Sequence, residues 1–147
     1  MCSSDLPPFE MSKGYHGVSA ALEFAVTQLN VPQIIVMGHG ACGGVSASLN
    51  HAFEGAPRGQ GGFIAEWVSL LQDERDRIVA ELGQGPEAVR ALEYACVRVS
   101  LANLRTFPGI IEREREGRLK LHGAHFAISE GVLYLMDETT GEFAPAA

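Results

Sequence analysis

The sequence predicts an α/β fold with a mainly parallel sheet, helices on the faces of the sheet and an antiparallel hairpin at one edge. Four consecutive large apolar residues at positions 34–37 are typical of a strand that is covered on both faces in a parallel sheet. Segments on both sides of this strand carry apolar residues at the three- and four-residue spacing of a helix. Near the carboxyl end, two apolar segments are separated by only three residues, which forces the two strands to run antiparallel.

The helices are predicted from the spacing of apolar residues along the chain. Between residues 18 and 29 this spacing gives one apolar face, and Asn30 and Pro32 end the helix. Farther along, Pro86 suits the first turn of a long helix, and Gly117 stops a short helix rich in Glu and Arg. The segments predicted as helices after the strand are 45–49, 63–82, 86–107 and 110–116.

Residues 119–128 and 132–136 are predicted to form the two strands of the hairpin. Because side chains alternate across a strand, His122 and His125 fall on opposite faces of the first one. Neither histidine is marked as a proton shuttle by its surroundings in the sequence. Apolar content is low in residues 138–147, and we expect this tail to be frayed.

Bulk composition describes one folded domain with an acidic surface. A chain of 147 residues with 46% hydrophobic content can bury a core. Eleven Lys and Arg against eighteen Asp and Glu give a net charge of −7, which disfavours nucleic acid or an anionic membrane as the main partner. The longest apolar runs fall short of the ~20 residues that span a bilayer, and the amino end lacks the pattern of a signal peptide. We therefore expect a cytoplasmic protein.

The cysteines are interpreted as reduced thiols. Cys2, Cys42 and Cys96 are an odd number at wide spacing, which argues against a disulfide framework. Cys96 falls on the apolar side of its predicted helix, so we interpret it as a small core residue.

Two soft metal ligands follow the predicted buried strand. His39 and Cys42 are separated by two residues, so one tight turn can aim an imidazole nitrogen and a thiolate sulfur at the same point, and zinc accepts both. Gly43 and Gly44 would let the backbone turn closely and start the next helix. The carboxyl end of a strand is also where open α/β sheets place their active sites. The alternative is that this histidine and cysteine are packing residues, because a single H-x-x-C pattern often occurs by chance.

Four stretches follow one another in a characteristic order: 14–26, 31–44, 99–108 and 119–124. Together they resemble segments of the beta-class carbonic anhydrases. The resemblance implies a zinc ion held by two thiolates and one imidazole, with a fourth position for water, and the reversible hydration of carbon dioxide to bicarbonate and a proton. It implies that His39 and Cys42 are two of the ligands. It also implies at least a homodimer, with residues 19–29 or the edge hairpin near the contact.

The resembled family carries a C-x-D-[ST]-R motif on an earlier strand, which supplies the second thiolate and a catalytic Asp–Arg pair. Here residues 2–6 read Cys-Ser-Ser-Asp-Leu, so Asp5 comes one place too late and no Arg follows it. No residue of the chain is therefore assigned to the catalytic Asp or Arg. Whether Cys2 serves as a third zinc ligand stays open.

The chain is predicted to divide into a leader, a domain and a tail. Residues 1–6 join abruptly to a Pro-Pro pair and are interpreted as a non-native leader. Residues 7–137 form one truncated carbonic-anhydrase-like domain, which lacks the amino-terminal strands of the family, and residues 138–147 are the tail. Without those strands, we expect apolar surface to be exposed and the chain to have at most background activity.

Two alternatives to carbon dioxide hydration stay open. Relatives on the same scaffold hydrolyse carbon disulfide or carbonyl sulfide, and nothing in the sequence separates these substrates. The chain would otherwise be a non-catalytic fragment or a structural relative, because two ligands do not match the three-ligand pattern of a catalytic zinc.

Overall fold

The computed structural model describes residues 6–11 and 14–146. The helices are α1 (Gly17–Glu23), which continues as a π-helical turn (Phe24–Gln28), α2 (Gly43–Leu49), α3 (Gly62–Val68), followed by a 3₁₀ turn (Ser69–Leu71), α4 (Gln72–Leu82), α5 (Pro86–Leu104) and α6 (Pro108–Arg115). The strands are β1 (Gln33–His39), β2 (Lys120–Ala127), β3 (Val132–Met136) and β4 (Phe143–Pro145).

The described strands form one sheet in the order β1-β2-β3-β4. Strand β1 runs parallel to β2, with Gln33 opposite Lys120 and His39 opposite Phe126. The pairings of β2 with β3 and of β3 with β4 are antiparallel. The α/β prediction and the antiparallel hairpin are confirmed, and within the described part of the chain the sheet is mixed.

Helix α5 covers the inner face of β1 and β2. Pro86 occupies its first turn after an extended Gly85, as the sequence predicts. A Cβ added at Gly38 on β1 would lie 2.9 Å from a methyl group of Val97, and one added at Gly123 on β2 would lie 3.1 Å from the other methyl group. The helix therefore contacts the strand backbones directly. The residues of α5 that are buried are Ala88, Leu92, Glu93, Ala95, Cys96, Val97, Ser100, Leu101 and Leu104.

The outer face of the sheet is not covered by the described residues. Burial alternates along β1, with Val36 and Gly38 buried and Ile35 and Met37 exposed. The prediction of a strand covered on both faces is therefore wrong for the described structure, in which only one face of β1 is packed. We call this surface the outer apolar face; its large residues are Ile35, Met37, Phe126, Leu133 and Leu135.

Two further predictions need correction. The single helix predicted over residues 63–82 is divided into α3 and α4 by the 3₁₀ turn. The tail is not frayed throughout, because β4 pairs with β3 and the ring of Phe143 stacks on Tyr94 with centroids 4.2 Å apart.

Most of the predicted leader, residues 1–5, lies outside the described residues. Leu6, its last residue, is described and is bound to helix α5. Its amide donates to the hydroxyl of Ser100 at 3.2 Å, and its carbonyl accepts from the side chain of Asn103 at 2.6 Å. The amino-terminal segment is thus attached to α5 from Leu6 onward.

None of the described helices is long and apolar enough to cross a membrane. The longest is α5 with 19 residues, and it carries charged side chains at Glu87, Arg90, Glu93 and Arg98.

We predict that Gly38→Ala destabilises the protein by about 1–3 kcal/mol. The new methyl group would press on Val97, which is fully buried and, being β-branched, has little freedom to change its rotamer in a helix. Urea unfolding of both proteins gives the difference in free energy. Gly109→Ala is the control, because nothing lies within 4 Å of its added Cβ and the change should be neutral or stabilising by about 0.4–1 kcal/mol. Equal midpoints for Gly38→Ala and the wild type would contradict the close approach.

Candidate metal centre

His39 is the last residue of β1 and is half-buried. Its Nδ1 lies 3.0 Å from the carbonyl oxygen of Gly40. Because a carbonyl oxygen only accepts hydrogen bonds, Nδ1 must carry a proton, and in the neutral ring the lone pair is then on Nε2. A bond from Nδ1 to a backbone carbonyl is a common way to fix a metal-binding histidine in this tautomer.

Cys42 lies three residues later, at the N-cap position of α2. It is 2% exposed and belongs to the same core cluster as Val45, Leu49 and Cys96. The helix begins at Gly43, as predicted. The thiol is therefore held at the junction of a strand end and a helix start, where the positive end of the helix favours a thiolate.

The turn between the two residues is made by Gly40 and Ala41. The amide of Gly40 donates to the carbonyl of Phe126 at 2.8 Å, which ties the turn to β2. Ala41 has a φ of 56°, in the left-handed region of backbone conformation that residues other than glycine rarely adopt. The sharp change of direction thus occurs at Ala41, whereas Gly43 and Gly44, to which the sequence assigns it, are the first residues of the helix.

A buried hydrogen-bonded pair, Glu93 and His125, lies beneath this turn. The carboxylate of Glu93 on α5 is 3% exposed, and its Oε2 lies 3.0 Å from Nε2 of His125, which is fully buried on β2. Its other oxygen accepts a long bond, 3.5 Å, from the amide of Cys42. Arg90 approaches the same carboxylate at 3.7 Å, and the ring of Tyr94 lies edge-on to the histidine at 5.0 Å.

Arg90 connects this pair to a polar cluster at the surface. It donates to Glu130, which also accepts from the hydroxyl of Tyr134 at 2.9 Å. The hydrogen bond from Arg90, with a second one from Tyr134, holds the pKa of Glu130 below its usual value. The bond to Glu130 in turn raises the pKa of Tyr134. Arg90 is thus held beside Glu93 by its hydrogen bond to the charged Glu130.

Two other histidines and Cys96 have roles that their contacts or their burial show. His51 pairs with Glu54 at 3.1 Å, and His122 pairs with Glu138 at 2.9 Å, both at the surface. Cys96 is 1% exposed within the core of α5, in agreement with its interpretation as a core residue.

Glu93 and His125 are the residues near the turn that the sequence analysis missed. A signal was present for the glutamate, because it lies three and four residues before the buried Cys96 and Val97 and so falls on the apolar side of α5. For His125, the alternation of side chains along β2 correctly predicted that it lies on the other face of the strand from His122, but it did not reveal a hydrogen-bond partner.

The donors at this turn fit zinc in chemistry but not in number. An imidazole nitrogen and a thiolate are both zinc ligands, whereas a catalytic zinc takes three protein ligands. No group of three or more His, Cys, Asp or Glu residues able to hold a metal occurs among residues 6–11 and 14–146. Cys2, the one further donor considered from the sequence, lies outside the described residues.

Comparison with known proteins gives matches along most of the chain. A family model described as carbonic anhydrase matches residues 6–133. Beta carbonic anhydrase 3 of Arabidopsis thaliana is 32% identical over 144 residues, which cover 95% of this chain and 55% of the relative. The chloroplastic beta carbonic anhydrase 5 of the same plant is 36% identical over 123 residues, covering 82% of this chain and 39% of the relative. The chain thus spans about half the length, or less, of these curated relatives.

Solved structures match in fold over nearly the whole chain. The beta-carbonic anhydrase CcaA superimposes with a TM-score of 0.80 at 27% identity, covering 99% of this chain and 64% of that protein. A tetrameric beta-carbonic anhydrase from the ascomycete Sordaria macrospora superimposes with a TM-score of 0.70 at 21% identity, covering 99% and 67%, which shows the fold alone. Since the family model covers 128 of the 147 residues, from 6 to 133, and both the relatives and the fold agree with it, this chain belongs to the carbonic anhydrase family, in its beta class.

Proposed function

We propose that this chain takes part in the reversible hydration of carbon dioxide, with His39 and Cys42 as two of the protein ligands of a zinc ion. The observation that carries the proposal is the turn at the end of β1. In this turn, Nδ1 of His39 is bound to the carbonyl of Gly40. Cys42 follows three residues after His39, at the start of α2. Family membership supports the reaction, and the donor types support the metal.

Bound with an open coordination position, zinc would lower the pKa of a bound water molecule to about 7. Residues of this chain would hold the zinc ion. The Gly40 carbonyl keeps the proton of His39 on Nδ1 and leaves Nε2 to bind. The position of Cys42 at the start of α2 favours the thiolate, and its burial keeps bulk water from the sulfur.

The proposal requires a third ligand from outside the described residues. In the resembled family this ligand and the catalytic Asp–Arg pair come together in one C-x-D-[ST]-R segment. The described residues contain none of these three groups in a matching motif. Activity is therefore proposed for a chain that includes such a segment.

We predict that zinc binding depends on both His39 and Cys42. His39→Ala and Cys42→Ser should each weaken the binding of zinc by the 147-residue chain at least about tenfold, since even the loss of an outer-shell partner of a metal ligand costs 10–100-fold. Chelator competition gives the affinity. Cys96→Ser is the control, because that thiol lies in the core of α5 and should not change zinc binding. Wild-type affinity in both ligand variants would show that the assignment is wrong.

We also predict that the upstream segment determines activity. Stopped-flow hydration assays, with zinc supplied, should give near-background rates for the 147-residue chain. Rates well above background are expected when residues 1–6 are replaced by a native segment containing C-x-D-[ST]-R. In that longer chain, Cys42→Ser should return the rate to background.

Two other outcomes of these assays have definite meanings. Robust activity of the short chain that Cys2→Ser abolishes would show that Cys2 completes the site. Inactivity of both chains would favour a structural relative, or a substrate such as carbon disulfide or carbonyl sulfide.

We further propose that the protein is a homo-oligomer in which the outer apolar face is covered. Five large apolar side chains exposed together on one sheet face are typical of a surface that packs against another element or copy. The solved relative from Sordaria macrospora is described as tetrameric. The face includes the edge hairpin, one of the two contact regions that the resemblance implies.

Light scattering tests this assembly. We predict that the wild-type chain has at least twice the mass of one chain, and that Leu135→Lys lowers this mass because it places a charge in the outer apolar face. Ala102→Lys is the matched control, since it adds the same charge at an exposed position of α5. A monodisperse wild-type monomer would contradict the proposal.

A further inference from the structure

We infer that Glu93 is a positioning residue for the proposed zinc ligand Cys42, an inference that rests on the function proposed above. Its carboxylate joins three elements. It projects from α5, accepts from the amide of Cys42 at the start of α2, and accepts from the ring of His125 on β2. The distances are 3.5 Å to the amide nitrogen and 3.0 Å to Nε2 of the ring.

Because Glu93 is buried, its charge depends on these hydrogen bonds for stabilisation. A carboxylate that is 3% exposed is stable only where donors are aimed at it, because the buried charge otherwise lacks the hydration it has in water. The described hydrogen-bond donors are the Cys42 amide and the His125 ring, and the positive charge of Arg90 lies 3.7 Å away. Movement of the Cys42 turn away from α5 would remove one of these donors and is therefore opposed.

His125 has the geometry of a support for this carboxylate. Its Nε2 must carry a proton, because a carboxylate only accepts. Its Nδ1 is buried without a hydrogen-bond partner in the described part of the chain. The orientation of the ring is thus fixed by Glu93 on one side and by the edge-on contact with Tyr94 at 5.0 Å.

The position of the turn explains why a second attachment is needed. Gly40 is bonded to β2 through the carbonyl of Phe126, and Ala41 then adopts the left-handed conformation with φ 56°. Cys42 follows directly with extended geometry, φ −68° and ψ 120°. The bond to Glu93 holds the chain on the far side of the strained residue, where the thiol projects.

The first test measures the Cys42 amide without any metal. Hydrogen exchange by NMR on the 147-residue chain should be at least about tenfold faster at Cys42 in Glu93→Leu, which lacks an acceptor. Glu93→Gln should keep the amide protected, because its carbonyl oxygen can still accept from Cys42. Leu101→Ala, a core change on the same helix in the other core cluster, controls for general loss of stability and should leave the Cys42 amide protected relative to the amides of β2. Equal protection in Glu93→Leu and the wild type would overturn the inference.

The second test measures the metal. Zinc affinity from chelator competition should fall about 10–100-fold in Glu93→Leu, the range seen when a metal ligand loses its supporting partner, and stay near the wild type in Glu93→Gln and Leu101→Ala. An equal loss in Leu101→Ala and Glu93→Leu would show a general effect of stability and overturn the positioning role. If Cys42→Ser binds zinc like the wild type, the proposed function fails, whereas the amide test still decides whether Glu93 holds the turn.

A third measurement needs no variant that might fail to fold. Long-range nitrogen–proton NMR correlations of wild-type His125 should show a proton on Nε2. A neutral ring protonated only on Nδ1 would leave Glu93 without that donor and would overturn the inference.

Discussion

The close approach of helix α5 to the two parallel strands determines where the rest of the candidate site lies. Gly38 and Gly123 present bare backbone to Val97, so neither residue places a side chain of its own between the helix and the sheet at this level. One helical turn before Val97, the carboxylate of Glu93 then lies within reach of both the ring of His125 and the amide of Cys42. A bulkier residue at either glycine would separate the layers and with them the donors and acceptor that meet there.

The balance of energies at the turn shows why these attachments are significant. A residue other than glycine in a left-handed conformation costs of order 1–3 kcal/mol, and Ala41 is in that region. A typical hydrogen bond contributes about 0.5–1.5 kcal/mol net, and bonds to a charged group about 1.5–3. The bond from Gly40 to Phe126, at 2.8 Å, offsets part of this strain, and the longer bond from Cys42 to Glu93, at 3.5 Å, contributes a smaller part. The turn is therefore held by its neighbours on both sides of Ala41 and not by its own conformational preference.

Most of the fold could be predicted from the sequence, because helix spacing, strand patterning and short connections are local properties. The same holds for the placement of His39 at a strand end and Cys42 at a helix start. The role of Glu93 could not be predicted, since a glutamate in a helix is usually solvated and its burial depends on donors from two distant elements. The pairing of β4 was missed for a similar reason, because its main apolar contact, Phe143 on Tyr94, joins residues far apart in sequence.

The outer apolar face and the turn that carries His39 and Cys42 are connected through the position of β1. In the part of the sheet that the structure describes, β1 is an edge strand with β2 as its neighbour, and His39 lies at the carboxyl end of that edge. The inner face of β1 is filled by α5, and Cys42 is buried against the same helix. An edge strand with one apolar face exposed has unpaired backbone groups as well as unburied side chains. A segment or a second copy that covered this strand would therefore bury the face and bring new side chains beside His39. Because a ligand that binds only the folded, assembled form stabilises it, metal binding and the covering of this edge would then favour each other.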